Sequence, residues 1–371
     1  VKWFSLALLF LPSLTFAVGC SPINLLTQPN SPFEKIPVYD QDGLGSCYAY
    51  TAAQLADFDL IKKGAKDRSV HPIWIAMNYA SKLEQEGISG GDTQYALFSL
   101  GAAGNCSYNS VSTSLAQWSK KNRVPELIML DLIERVSSKL KVTQNDKGQL
   151  TTIDVSNAYK TSINEAPYCR QETMYWKSII PQLKELLEIN PTQIVAKQLL
   201  TNCSNPLPLD IGQPVKTSVP YPVFGAIEMR DLLETLHAPI EVSHCGKFWD
   251  DPKYVGLGKN GAPRSQVEAD CEPHSTLIVG RKEVGESCQL LVRNSWGSGF
   301  SETTDRFKCF CRNKKTGSFV DECSRKSPDA DQLSVEGCWV DMKDLANNTI
   351  DYTYIDAKAK FSLPSELSGS K

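Results

Sequence analysis

Residues 41–63 read QDGLGSCYAYTAAQLADFDLIKK. From Tyr48 onward, Ala52, Leu55, Phe58 and Ile61 recur at three- and four-residue steps, the spacing of an amphipathic helix. Lys62 and Lys63 followed by Gly64 give it a C-terminal stop. Gly43, Gly45 and Ser46 form a tight turn ahead of it, which places Cys47 at the helix start. There the helix dipole and unpaired amides favour a thiolate. Taken alone, the position suits a buried structural cysteine or half a disulfide as well as a reactive thiol.

Two distant segments decide between those readings. Residues 269–282, ADCEPHSTLIVGRK, set His274 at the head of a run, Ser275 to Gly280, that reads as a buried strand. Residues 290–299, LLVRNSWGSG, form a second apolar strand ending at Asn294, followed by Ser-Trp-Gly. A nucleophilic cysteine needs a base, and the base needs an orienting partner. Cys on a helix start, His at a strand start and Asn at a strand end satisfy that need. A lone histidine is more often structural and a lone Asn more often caps a turn, so the weight lies on the set of three.

In these segments the chain resembles the papain-like cysteine peptidases. Gly45-Ser46-Cys47-Tyr48 matches the family's signature around its nucleophile. Gln41 stands six residues before the cysteine, as the family's oxyanion glutamine does. Asn294-Ser295-Trp296-Gly297 and the His274 segment match the stretches around its orienting Asn and catalytic His. The resemblance implies that Cys47, His274, Asn294 and Gln41 are catalytic, and that the Trp296 indole shields the His–Asn contact. Gly90 and Gly91 would bind substrate backbone, and Ser243, on a strand 239–243, and Ser275 would line the specificity pocket. It implies an α+β, two-lobed fold, helical around Cys47 and β-rich around His274 and Asn294, with peptide or protein substrates, no cofactor and no metal. Asp92, at a pocket position, reads as a solvated surface charge. His71, His237 and His244 show no ligand spacing and read as structural or exposed.

The departures shape the domain reading. Leu44 and Ile88 stand where the family has a disulfide pair. His274 and Asn294 follow Cys47 by roughly 230 and 250 residues, against about 130–150 in the family. The excess falls between Cys106 and Val219, where 113–141 and 172–200 have a helical texture broken at Pro125, Pro181 and Pro191. The expected layout is a signal peptide 1–19, a helical lobe 20–106, a helical insertion 107–219 and a β-rich lobe 220–345. A disulfide-rich loop at 300–334 and a C-terminal segment 346–371 complete it.

The opening stretch, VKWFSLALLFLPSLTFA, is laid out as an export signal and is too short to span a bilayer. Cleavage before Val18 competes with a lipobox at 17–20, which would make Cys20 a lipid anchor. The expected location is periplasm, cell surface or extracellular space, as in an exported bacterial type. Of 12 cysteines, setting Cys47 aside leaves an odd number, which lipidation of Cys20 would make even. In an oxidising compartment Cys309, Cys311, Cys323 and Cys338 read as disulfides rather than a zinc site. The 371 residues carry 39 Lys and Arg against 42 Asp and Glu, a net charge of −3 that leaves no basic excess for nucleic acid. No later stretch is apolar enough for a transmembrane span. The rival functions are a catalytically silent binding or adhesion module and a transpeptidase built on the same Cys-His-Asn set.

Overall fold

The computed structural model describes residues 20–41, 45–82, 88–122, 157, 161, 203, 209–219, 222–249, 251, 254, 271–300 and 306–365. The expected signal segment, most of the expected insertion including 123–141 and 172–200, and Cys169 lie outside the described residues. Within them the molecule is a mixed helix and antiparallel-sheet structure. The strands are β1 (Ile23–Asn24), β2 (Gln213–Ser218), β3 (Ile240–Cys245), β4 (Pro273–Val284), β5 (Ser287–Arg293), β6 (Lys308–Asn313), β7 (Phe319–Cys323), β8 (Leu333–Asp341) and β9 (Thr349–Asp356). They form one sheet in the order β2-β9-β3-β4-β5-β8-β6-β7, with β1 paired to β4. The helices are α1 (Cys47–Lys62), α2 (Pro72–Lys82), α3 (Thr93–Ala103), α4 (Tyr108–Asn122), α5 (Pro222–Leu236) and α6 (Met342–Asn348).

α1 occupies the centre. It starts one residue after Ser46 and stops at Lys62, with Gly64 in the left-handed region at φ 105°, as the Lys-Lys-Gly ending predicts. Amphipathicity is the part the pattern misjudged, because every residue from Tyr48 to Asp59 is buried. α1 packs against β3, β4 and β9 and against α2 and α3. Its polar residues survive burial by tying down other segments. Asp57 Oδ1 accepts from the amides of Ser69 (2.6 Å) and Val70 (3.0 Å), and Asp59 Oδ2 accepts from Gly212 N at 2.9 Å. Gln54 Oε1 accepts from Arg293 Nε at 2.9 Å.

β4 is buried from His274 to Arg281, as its apolar run requires. The 346–371 segment is not an appendage: β9 lies between β2 and β3, inside the sheet. The cysteine-rich stretch is a β6–β7 hairpin on the sheet edge. It is closed by Cys311–Cys323 and joined to β8 by Cys309–Cys338. Cys106–Cys203 ties two residues 97 positions apart with a Cα–Cα distance of 5.7 Å, so the long excursion between them leaves and returns at one place.

The amino-terminal arm is wired into the sheet. β1 pairs with Gly280 and Arg281, and a side chain on Gly280 would meet the Ile23 carbonyl at 2.7 Å. The Arg281 guanidinium, fully buried, donates to Ser21 O (2.8 Å), Ser21 Oγ (2.8 Å), Arg230 O (2.7 Å) and Glu234 Oε2 (2.5 Å). Cys20 is disulfide-bonded to Cys288. This corrects the lipid-anchor reading of Cys20, since a thioether-linked lipid needs the sulfur that the disulfide occupies. A fifth disulfide, Cys245–Cys271, closes the approach to β4. Five disulfides are consistent with an exported protein. No helix among the described residues is long and apolar enough to cross a membrane.

A second buried arginine, Arg293, donates to Gln54, to Glu336 Oε2 (2.6 Å) and to the Ile36 carbonyl (2.8 Å). Arg293→Ala strands these acceptors without water, and equilibrium unfolding in urea is expected to show a loss of about 3–5 kcal/mol. A loss below about 1 kcal/mol would contradict that role.

Candidate functional site

Cys47 opens α1, and among the described residues it is the free thiol. The helix start packs against the first residues of β4. Thr51 Oγ1, one turn along α1, bridges the same two elements through Cys47 O (2.9 Å) and Ser275 O (3.3 Å). Burial pushes the Cys47 thiol up, and Glu241 adds to that push. The amides of Ser275, Tyr48 and Cys47 itself act in the other direction. Burial therefore outweighs the helix start, and a thiolate here needs a cationic neighbour.

His274 is 7% exposed and its Nε2 lies 2.8 Å from Asn294 Oδ1. That oxygen also accepts from Ser295 N at 2.7 Å. An amide oxygen accepts and does not donate, so the proton between the two residues sits on His274 Nε2. The Trp296 indole stacks on the imidazole, ring centres 4.6 Å apart and 26° from parallel.

Gln41 joins this group through the backbone. Gln41 N donates to Ser295 O at 2.8 Å, and Gly297 N donates to Tyr39 O at 2.9 Å, so 39–41 runs antiparallel to 295–297. Ser295 Oγ donates to Gln41 Oε1 at 2.5 Å, which fixes the amide's orientation. Gly297 has φ 80°, and a side chain there would meet Asp40 at 2.9 Å.

The loop holding Gly90 and Gly91 is bound to the Cys47 loop without a disulfide. Gly90 N donates to Gly45 O (2.7 Å), Gly45 N to Ser89 Oγ (3.2 Å), and Tyr48 Oη to Ile88 O (3.1 Å). Gly91 leaves room for the Tyr48 ring, which a side chain would meet at 2.7 Å. Both glycines are exposed.

Ser243 and Ser275 face each other across β3 and β4, and both hydroxyls donate to Glu241 Oε1, at 2.8 and 2.9 Å. Thr93 Oγ1 lies 3.2 Å from Ser275 Oγ. Glu241 is fully buried, and desolvation, reinforced by Asp351, pushes its carboxyl up to about 8. Asp92 is not the solvated charge its sequence suggested. Its Oδ1 caps α3 by accepting from Tyr95 N at 2.9 Å, and its Oδ2 pairs with Lys216, which also binds Asp351 at 2.9 Å. Glu241 has no role in the sequence pattern, although a lone carboxylate in an apolar strand is itself a signal of a buried polar cluster. Lys216, Asp351 and Ser295 carried no comparable signal. Among the described residues, no group of His, Cys, Asp and Glu could hold a metal ion.

Comparison with known proteins gives weak likenesses. No family model matches the chain. A 76-residue stretch, 20% of the chain, is 29% identical to "Phospholipase A2" of Oryctolagus cuniculus and spans 52% of it, so the match reaches about half the length of that protein. Among solved structures, digestive procathepsin L2 proteinase from Tenebrio molitor larval midgut is 16% identical at a TM-score of 0.36, covering 86% of this chain and 67% of that one. Procathepsin L 3 of the same source is 12% identical at 0.35, covering 82% and 66%. Bromelain protease from Ananas comosus in complex with the E64 inhibitor is 13% identical at 0.36, covering 90% and 97%. Likenesses at this level carry no argument about fold or activity.

The Glu241 carboxyl titrates near 4.5 when unfolded and at about 8 in the fold. The folded state therefore keeps a proton that the unfolded state releases, and the Glu241 contribution to stability falls as pH rises from 4.5 to 8. Glu241→Gln lacks this loss. The wild type should lose ground to it on the order of a few kcal/mol between pH 5 and 8, measured by chemical denaturation at each pH. A pH-independent difference between the two would show that the buried carboxyl is ionised.

Proposed function

We propose that the chain is an exported papain-like cysteine endopeptidase with Cys47 as nucleophile, His274 as acid and base, Asn294 as the orienting residue and Gln41 as an oxyanion donor. The observation that carries this reading is the 2.8 Å contact from His274 Nε2 to Asn294 Oδ1 under a stacked Trp296, with the next residue, Ser275, linked to Cys47 through Thr51 Oγ1. With Nε2–H committed to Asn294, Nδ1 is the nitrogen left to exchange a proton with the thiol.

In the reaction, Cys47 passes its proton to His274 and the sulfur attacks the peptide carbonyl carbon. The C=O electron pair moves onto oxygen, where the Cys47 backbone N–H and the Gln41 side-chain amide receive it. The intermediate collapses as the C–N bond breaks, and His274 returns its proton to the leaving amine. Water, deprotonated by His274, then hydrolyses the thioester and frees the sulfur. Burial of Cys47 fits this scheme, because a thiol pushed up by desolvation ionises only with the imidazolium beside it. Gly90 and Gly91 form an exposed backbone edge for an extended substrate, and Ser243 and Ser275 line the adjoining subsite. In this reading 20–106 forms the helical half and 220–345 the β-rich half, with 107–219 inserted between them and β1, β2 and β9 joining the sheet from outside 220–345.

Labelling with iodoacetamide at pH 5–6 tests the reading directly, since an ordinary thiol of pKa about 8.5 is nearly inert there. Rapid single-site modification of Cys47, abolished by His274→Ala, is expected. An unreactive thiol in folded protein would favour a binding module instead. With a peptide substrate, Cys47→Ala should abolish hydrolysis, and Gln41→Ala should lower kcat by about 10²–10³ with KM little changed.

A further inference from the structure

The histidine beside the site has a fixed chemical form. His244, next to last in β3, is the cross-strand partner of His274, and it is 0% exposed. The Trp249 indole Nε1 donates to His244 Nε2 at 2.8 Å. An indole N–H donates and never accepts, so Nε2 must present its lone pair. Nδ1 then carries the ring proton, 3.2 Å from the Val242 carbonyl. Both nitrogens are occupied by a neutral ring, and protonation would cost the Trp249 bond.

Trp249 carries this constraint to the site. It is 2% exposed and meets Trp296 edge-on at 6.4 Å. Trp296 stacks on His274, and His274 meets His244 edge-on at 5.7 Å. The four rings thus close a circuit, His244–Trp249–Trp296–His274. Phe248 and Phe307 buttress it from behind, Phe307 at 5.1 Å from Trp249 and 5.8 Å from Phe248. Arg306 Nη1 fixes the Phe248 carbonyl at 2.8 Å.

We propose that His244, acting through its hydrogen bond to Trp249, is a positioning residue that holds Trp296 over the His274–Asn294 contact. The inference rests on the cysteine-peptidase reading above. Its physical content is that the cover on His274 is set by a hydrogen bond two rings away. Loss of that bond lets the Trp249 plane turn, loosens Trp296, and admits water to the contact that stabilises the imidazolium. The groups around His244 permit this role. From β4 it faces His274, whose charge, after burial, pushes His244 down to about 3. From β9 it faces Thr349, and the following turn presents Lys247, Phe248 and Trp249. A neutral His244 lets His274 carry the proton, whereas two adjacent imidazoliums would repel.

The test reads the alkylation rate of Cys47 by iodoacetamide against pH, which needs no substrate. Trp249→Phe keeps the ring and removes the N–H, and His244→Phe keeps the ring and removes the acceptor. Each is expected to narrow the reactive pH range by raising its lower limit, where the thiolate–imidazolium pair forms, by about half a unit to one unit. In peptide hydrolysis each is expected to lower kcat about tenfold, the worth of one hydrogen bond, at unchanged KM. The double variant should be no worse than either single one. His244→Gln, whose amide oxygen restores an acceptor for Trp249, should recover most of the pH range, which a merely space-filling His244 would not allow. Wild-type profiles in both single variants would overturn the proposal, as would a Gln variant no better than Phe. A wild-type protein with no reactive thiol below pH 7 would instead overturn the peptidase reading, and the positioning role with it.

Discussion

A guanidinium sealed from water must find acceptors for its donors, and at Arg293 that requirement organises the centre of the molecule. Its planar fork reaches α1 through Gln54, β8 through Glu336 and the amino-terminal arm through the Ile36 carbonyl. Asn294 is the next residue. The strand carrying Asn294, the helix carrying Cys47 and the arm carrying Gln41 are therefore all referenced to one rigid group. Chain segments far apart in sequence are held in register by a charge none of them could bury alone.

The other buried ionisable groups divide into two opposed sets. Burial pushes Glu241 up to about 8 and Asp57 to about 7, while it pushes His71 and His244 down to about 3. The acids make folding less favourable as pH rises above the ordinary carboxylate range. The histidines do so as pH falls below their ordinary 6.5. Between about pH 4.5 and 6.5 the two slopes run against each other and nearly cancel. The combined contribution of these four groups is thereby level across the mildly acidic range, and declines on the acid side through the histidines and on the alkaline side through the carboxyls.

Much of the site was legible because its chemistry imposes local grammar. A glycine turn before Cys47, an apolar run after His274 and a strand ending at Asn294 each mark an element boundary, and the structure sets the boundaries there. The distribution of polar residues misled where tertiary partners overrode it. α1 reads as amphipathic, yet Gln54, Asp57 and Asp59 are buried because Arg293, the 69–70 loop and Gly212 supply their partners. Cysteine parity pointed to Cys20 as the odd sulfur, but β1 lies along β4, close enough for Cys20 to reach Cys288. His244 read as structural or exposed, and no spacing rule could single it out, since its link to His274 runs across strands and through Trp249. Lys216 and Asp351 were equally silent, being joined by sheet pairing between residues far apart in the chain.

The position of β9 bears on how the protein is made. A chain that emerges from ribosome or export channel amino end first delivers β2 and β3 well before the strand that belongs between them. The gap from Cys245 to Asp356 is about 110 residues, or roughly 5–20 s at synthesis rates of about 5–20 residues per second. During that interval β2 and β3 present unpaired edges, and Lys216 has yet to meet Asp351. Closure of the sheet around β9 is thus a late event in biogenesis. A nascent molecule already carrying Cys47 and His274 therefore passes its synthetic lifetime without the strand that flanks β3, and His274 on β4 rests on an incomplete sheet.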